Sequence, residues 1–213
     1  MTRLLTPLSL AALVALASPS FAQETNGEEN AADAVQPSLG DDTPRPGDRH
    51  ILSEHGDWKL RCITTNVAAD ECRLAQLLFD DSGNPLVEIS ISPLVEPDEA
   101  VSIATVITPL GTLLRDELAF TIGDLKIKRY PFALCSPVGC YAHLALTQEE
   151  LDGLKDEEQA TVMFDVIAGS SQRVVRAELN VPLDGFAAGY EATEEQFEEF
   201  VAAVEAARAE AEN

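Results

Sequence analysis

Val87-Glu88-Ile89-Ser90-Ile91-Ser92 is the stretch whose reading decides the fold class. Apolar β-branched residues alternate with polar ones at period two, the pattern of a strand with one face in a core and one in water. A strong turn signal, Asp80-Asp81-Ser82-Gly83-Asn84-Pro85, stands just before it. Cys72 to Phe79 reads as a strand on the other side of that turn, so the pair reads as two connected strands. Further out, Trp58, Leu60 and Cys62 alternate with Lys59 and Arg61, and Val101 to Ile107 reads as another strand. Leu118 to Ile122, Gly123-Asp124 and Leu125 to Tyr130 read as a hairpin with a glycine-first turn. Val138 to Leu146, Ala160 to Ala168 and Gln172 to Val181 complete the set. Helix signals are few. Thr147-Gln148-Glu149-Glu150 is a capping box that opens a short helix weakened by Gly153. Thr193 can cap a second helix over 193–211, where Phe197, Phe200, Val201 and Val204 form a stripe at helical spacing. The expectation is an all-β chain: an antiparallel β-sandwich with one short helix and an acidic C-terminal helix.

The ends of the chain set the compartment. Arg3, the uncharged apolar run Leu4 to Ala17, and the small residues Ser20 and Ala22 make a secretory signal peptide over 1–22, cleaved after Ala22. That run is too short to serve as a transmembrane helix, and no stop-transfer segment follows. Residues 23–48 carry seven acids and one base with almost no large apolar side chains, which reads as a disordered acidic linker. The domain then spans 49–189, and 190–213 is an acidic helical tail with eight acids and one base. The full chain has a formal charge of −23, which excludes nucleic acid and anionic lipid as electrostatic partners. The mature protein is expected in the periplasm or secreted.

Four cysteines in an exported chain form two disulfides with three possible connectivities. Cys62 and Cys72 flank a polar hairpin-like loop, and Cys135 and Cys140 bracket a tight turn, so the expectation is local pairing. Neither pair is a Cys-x-x-Cys redox motif. Trp58, the only tryptophan, is expected to pack on the Cys62–Cys72 bridge.

No catalytic, metal or cofactor site emerges. His50, His55 and His143 have no ligand spacing, and no Gly-x-Ser-x-Gly elbow accompanies them. Asp80, Ser82 and Asn84 imitate a calcium loop, but Ile91 stands where the closing glutamate belongs, so a polar turn is the reading. Leu125-Lys126-Ile127-Lys128-Arg129-Tyr130 is the basic cluster of an acidic chain. Lys126, Lys128, Arg129 and Tyr130 are the candidate partner-binding residues, against the alternatives of a lysine-protected edge strand or a dock for the chain's own tail over 194–212.

Several motifs, in order, resemble one family. Gly56-Asp57-Trp58-Lys59-Leu60-Arg61-Cys62 resembles the "GDW-x-x-x-C" opening of the invasion-associated locus B (IalB) proteins of alphaproteobacteria. Pro109-Leu110-Gly111, Pro131-Phe132 through Gly139-Cys140, and Leu183-Asp184-Gly185-Phe186 are similar to its later segments. The resemblance covers about residues 51–190. It implies an immunoglobulin-like sandwich in the periplasm or at the outer surface, associated in pathogenic members with host-cell invasion, and it supplies no enzymatic activity or ligand. The expected function is that of an exported, non-enzymatic envelope or host-surface binding protein whose partner the sequence does not identify. The competing class is a periplasmic hydrolase or redox enzyme.

Overall fold

The alternating run from Val87 to Ser92 lies at the centre of a seven-stranded antiparallel sheet. The computed structural model describes residues 44–80, 82–168 and 172–212. The expected signal peptide and most of the expected linker lie outside the described residues. Those described belong to a unit spanning 43–213.

In chain order the strands are β1 (Arg49–His55), β2 (Trp58–Ile63), β3 (Glu71–Phe79), β4 (Pro85–Pro93), β5 (Ser102–Thr108), β6 (Leu118–Ile122), β7 (Lys128–Tyr130), β8 (Phe132–Ser136), β9 (Gly139–Leu146), β10 (Gln159–Ala168) and β11 (Arg173–Pro182). Helix α1 (Gln148–Asp156) joins β9 to β10, and α2 (Phe186–Ala211) follows β11. The larger sheet runs β1-β2-β3-β4-β5-β9-β8 and the smaller β11-β10-β6-β7, both antiparallel throughout.

Register explains the burial. Leu74 pairs with Ile91, which pairs with Ala104, which pairs with Leu144. All four are buried, because period two puts them on one pleated face. On the smaller sheet Leu118, Phe120 and Ile122 share a face with Val162, Phe164 and Val181, and the two apolar faces form one core. The smaller sheet covers only part of the larger one. Helix α2 packs against β1, β2, β3 and β4, and Phe186 and Tyr190 enter the core.

Four local expectations need correction. The Gly123-Asp124 turn is present, but the strand does not resume at Leu125: Phe120 pairs with Lys128, so 125–127 stay in the loop. The Leu125 N–H donates to the Ile122 carbonyl at 2.8 Å, and the side chain folds back onto the core. Strand β8 was not expected, because its residues are mostly exposed and do not alternate. Helix α2 starts at Phe186 rather than at Thr193, with Gly185 as N-cap in the left-handed region (φ 80°). Thr193 is interior and buried, and its hydroxyl donates to the Gly189 carbonyl at 2.7 Å. The acidic linker is tied down at its end: Gly47 N–H donates to Thr64 O at 2.8 Å and Thr64 N–H to Asp48 O at 2.9 Å.

The capping box is present as read. Thr147 and Glu150 exchange side-chain and backbone bonds in both directions. Gly153 sits inside α1, where a Cβ would come within 3.1 Å of Leu125 and 3.2 Å of Ile122. Close helix-to-sheet approach is its reason for being there.

Candidate functional site

The motif residues meet in pairs and build corners. Gly56 lies in the β1–β2 turn with φ 55°, and a Cβ there would collide with the Asp184 carbonyl at 2.5 Å. Asp57 N–H donates to that carbonyl at 3.2 Å. A Cβ on Gly185 would overlap the His55 carbonyl in turn. Trp58 packs edge-on against Phe186, with centroids 5.1 Å apart, and its Nε1–H donates to the Pro182 carbonyl at 3.1 Å. The opening and closing motifs are therefore two halves of one interlock. Trp58 is core, as expected, but not on the disulfide: Cys62 and Cys72 pack with Leu60 and with Ala192 of α2. A second corner joins the middle motifs. Thr112 Oγ1 donates to Pro109 O at 2.8 Å, Thr108 Oγ1 donates to Cys140 O at 3.3 Å, and a Cβ on Gly139 would strike the Thr108 carbonyl.

Both disulfides have the local connectivity, Cys62–Cys72 and Cys135–Cys140, each across a directly paired register position. No described cysteine is free.

The basic cluster is divided between the two faces of β7. Lys128 and Tyr130 turn towards α1. Lys128 Nζ is 2.8 Å from Glu150 Oε2, and Tyr130 O–H donates to Glu150 Oε1 at 3.4 Å. Burial and the Glu150 charge push the Tyr130 hydroxyl up to about 12. Burial works to raise the Glu150 carboxyl as well. The bonds from Lys128 and Thr147 outweigh it and hold the carboxyl below its ordinary value. Arg129 belongs to the other face, opposite Ala119 in register, where its charge helps to lower the Asp165 carboxyl after the larger effect of the Arg176 bonds. Lys126 is exposed in the loop. The tail does not dock here: Glu194 of α2 lies 4.0 Å from Lys155, whose ammonium sits 4.8 Å from the Tyr190 ring centre.

The histidines stay apart. His50 is 3.4 Å from Asp70, His55 Nε2 is 2.8 Å from Ser53 Oγ, and His143 Nδ1 is 3.1 Å from Thr105 Oγ1. Among the described residues no three His, Cys, Asp or Glu side chains gather as metal ligands. The Asp80 carboxylate is used by its own turn, accepting from Ser82 N–H and Asn84 N–H at 2.9 Å each.

A large concavity lies elsewhere. An open groove of about 1020 Å³ runs between β11 and the end of β3. Strand β2 accompanies β3 only as far as Ala75 in the paired register, and β3 continues to Phe79. Phe79 is 56% exposed at the rim, and Ile51, Leu86 and Leu179 add apolar wall. Gln76 lines the groove at 5% exposure. Its Nε2 donates to Pro182 O at 3.3 Å, while its Oε1 is buried with no partner among the described residues. Pro182 O can only accept, which fixes the amide orientation. The sequence reading missed this site. The available signal was Pro182, because proline ends or borders a strand where an N–H is not needed.

The invasion associated locus B protein family model matches residues 58–194. No curated protein matches the chain. Among solved structures, invasion associated protein B from Bartonella henselae is similar in fold, with a TM-score of 0.55 at 17% identity over 67% of this chain and 95% of that one. Among the described residues no helix is long and apolar enough to cross a membrane.

Proposed function

The chain belongs to the invasion associated locus B family, and from that premise we propose that it acts as an exported, non-enzymatic binding protein of the cell envelope or cell surface. Its scaffold in this reading is an immunoglobulin-like sandwich, with signal peptide 1–22 removed and the mature chain in the periplasm or secreted. The partner is a protein of the envelope or, where the producing cell meets a host, of the host surface. The observation that carries the reading is the open groove, walled in part by apolar side chains and by the end of β3, which among the described residues is paired to β4 but not to β2. Two disulfides support an oxidising compartment. Of the basic cluster, Lys126 and Arg129 remain contact candidates, because Lys128 and Tyr130 are engaged by Glu150.

The test is photo-crosslinking in the exporting cell, with the reactive side chain placed at Phe79, at Leu179 and, as control on the far face of the larger sheet, at His143. The expected result is a discrete adduct in the envelope or medium fraction from positions 79 and 179 but not from 143. Equal labelling at all three positions, or none, refutes binding at the groove.

A further inference from the structure

The edge of the smaller sheet has a determinable polarity. Gln159 O accepts from Gly123 N–H at 3.1 Å, Asp165 O accepts from Leu113 N–H at 2.8 Å, and Ile167 N–H donates to Gly111 O at 3.0 Å. Odd-numbered positions of β10 thus turn their backbone groups away from β11, and even-numbered positions turn theirs towards it. The residues paired with those even positions are Val175, Ala177, Leu179 and Val181. Val174, Arg176, Glu178 and Asn180 therefore direct both N–H and C=O outward, on the side where no further strand is paired among the described residues. Pro182 shares that parity, and its outward carbonyl is the one that Trp58 and Gln76 cap. An exposed row of strand donors and acceptors beside a groove of mixed apolar and charged wall is the geometry of strand addition.

The charges around the groove select the occupant. Each cation lining it is already paired: Lys59 with Glu54 at 2.7 Å, Arg61 with Glu88 at 2.8 Å, and Arg176 with Asp165 through two bonds of 2.8 and 2.9 Å. Asp57 and Glu178 form no ion pair among the described residues, and Asp80 has no cationic partner. All three line the groove. Gln76 adds a buried acceptor with no donor. With its cations already paired, the groove is left with uncompensated negative charge and, at Gln76 Oε1, an acceptor in want of a donor. A chain of formal charge −23 also draws cationic ligands from solution.

We propose that β11 takes up an extended peptide segment of a partner protein, alternating basic and apolar residues, as a fifth strand of the smaller sheet. The segment's backbone bonds to Arg176, Glu178 and Asn180. Its apolar side chains lie against Phe79 and Leu179, and its basic side chains lie near Glu178, Asp57 and Asp80. This inference rests on the binding-protein reading and specifies the partner.

The probe is a synthetic nine-residue peptide alternating lysine and valine, titrated into the full mature chain. Amide exchange and chemical shifts are the readout. Protection at Arg176, Glu178 and Asn180 is expected. A peptide N-methylated at alternate amides, which cannot donate, should lose binding. Glu178→Lys is exposed and should keep the fold. It should weaken the lysine peptide about fivefold and favour a glutamate–valine peptide instead. Glu178→Pro removes one outward N–H without touching the pairing to β10 and should also weaken binding, whereas thermal stability reports any misfolding. Shifts confined to the Lys126–Tyr130 strand or to α2, or equal affinity for the lysine and glutamate peptides, overturn the proposal. If crosslinks at Phe79 persist in that case, binding at the groove stands and only this partner class is wrong.

Discussion

Gly185→Ala measures the interlock between the two ends of the domain. At φ 80° an added Cβ costs about 1–2 kcal/mol from left-handed backbone strain alone. The Cβ would also overlap the His55 carbonyl and approach Gly56 N to 2.7 Å. Both obstacles are backbone, held in the β1–β2 hairpin, so neither can move aside as a flexible side chain would. Forced overlap of this kind adds about 1–3 kcal/mol. The matching control is Gly83→Ala, because Gly83 has the same φ of 80° and nothing within 4 Å of the added Cβ. The reduction in unfolded-state freedom that alanine brings is common to both variants and cancels in the difference.

The assay is urea unfolding of the oxidised mature chain followed by the fluorescence of Trp58, which is 0% exposed in the fold. Gly83→Ala should lose about 1 kcal/mol and Gly185→Ala about 3–4 kcal/mol, with unchanged m-values. In thermal melts these correspond to about 3 °C and about 10 °C for a chain of this size. Equal losses in the two variants would show that the His55–Gly185 contact is not tight, and the account of the motif residues as an interlock would fall with it.

Replacing Cys62 and Cys72 together by serine should cost more than replacing Cys135 and Cys140. Closure of either short loop is worth about 2–3 kcal/mol, but only the first pair lies buried on both sides, beneath α2. Denaturant midpoints of the two double variants decide this. Glu150→Gln keeps the capping box but loses the charge facing Lys128, so it should cost about 1–2 kcal/mol at pH 7. Because the folded Glu150 carboxyl is held below its ordinary 4.5, its contribution is present above that value and lost as pH falls through the lower folded value. Melts of both proteins from pH 7 to pH 3 should therefore converge on the acid side. Trp58→Phe should cost about 1–2 kcal/mol through the lost bond to Pro182 O, read by thermal melting.

The strands were legible wherever one face is buried and the other is not. Val87, Ile89 and Ile91 are buried while Glu88 and Ser92 are half-buried, the contrast that period-two alternation records, although the small Ser90 between them is buried on the opposite face. Strand β8 was invisible for the converse reason: as an edge strand its residues are mostly exposed, and Phe132 to Ser136 carry no burial contrast. The start of α2 was hidden because its N-cap is a left-handed glycine without a side-chain bond, and a polar threonine further on imitated a cap. The basic cluster was found as a sequence feature. Its division between two faces follows from period-two alternation, which sets Arg129 against Lys128 and Tyr130; what the sequence did not show is that α1 presents Glu150 to Lys128 across the fold. Of the groove, only the strand-bordering Pro182 left a mark in the sequence. Which backbone groups of β11 point outward depends on which residues of β10 face β6, a pairing between segments far apart in sequence.

The interlock and the groove are mechanically one feature. Pro182 O, held by Trp58 Nε1 and Gln76 Nε2, is the point where β11 is fastened to the larger sheet. Next to it, Asp184 and Gly185 are clamped by the β1–β2 turn. On the other side of Pro182, from Asn180 back to Arg176, β11 flanks the groove instead of joining β3. The corner thus sets the separation of the two strand edges, and rigid closure at one end is what keeps the other end open. Side chains that fasten a corner are buried and glycine-rich, while those that would read a partner are exposed and charged, which is why the recognisable motifs fall on the clamp and not on the edge. A substitution such as Gly185→Ala should therefore disturb the groove as well as the stability, and Glu178→Lys should change binding while leaving the clamp intact.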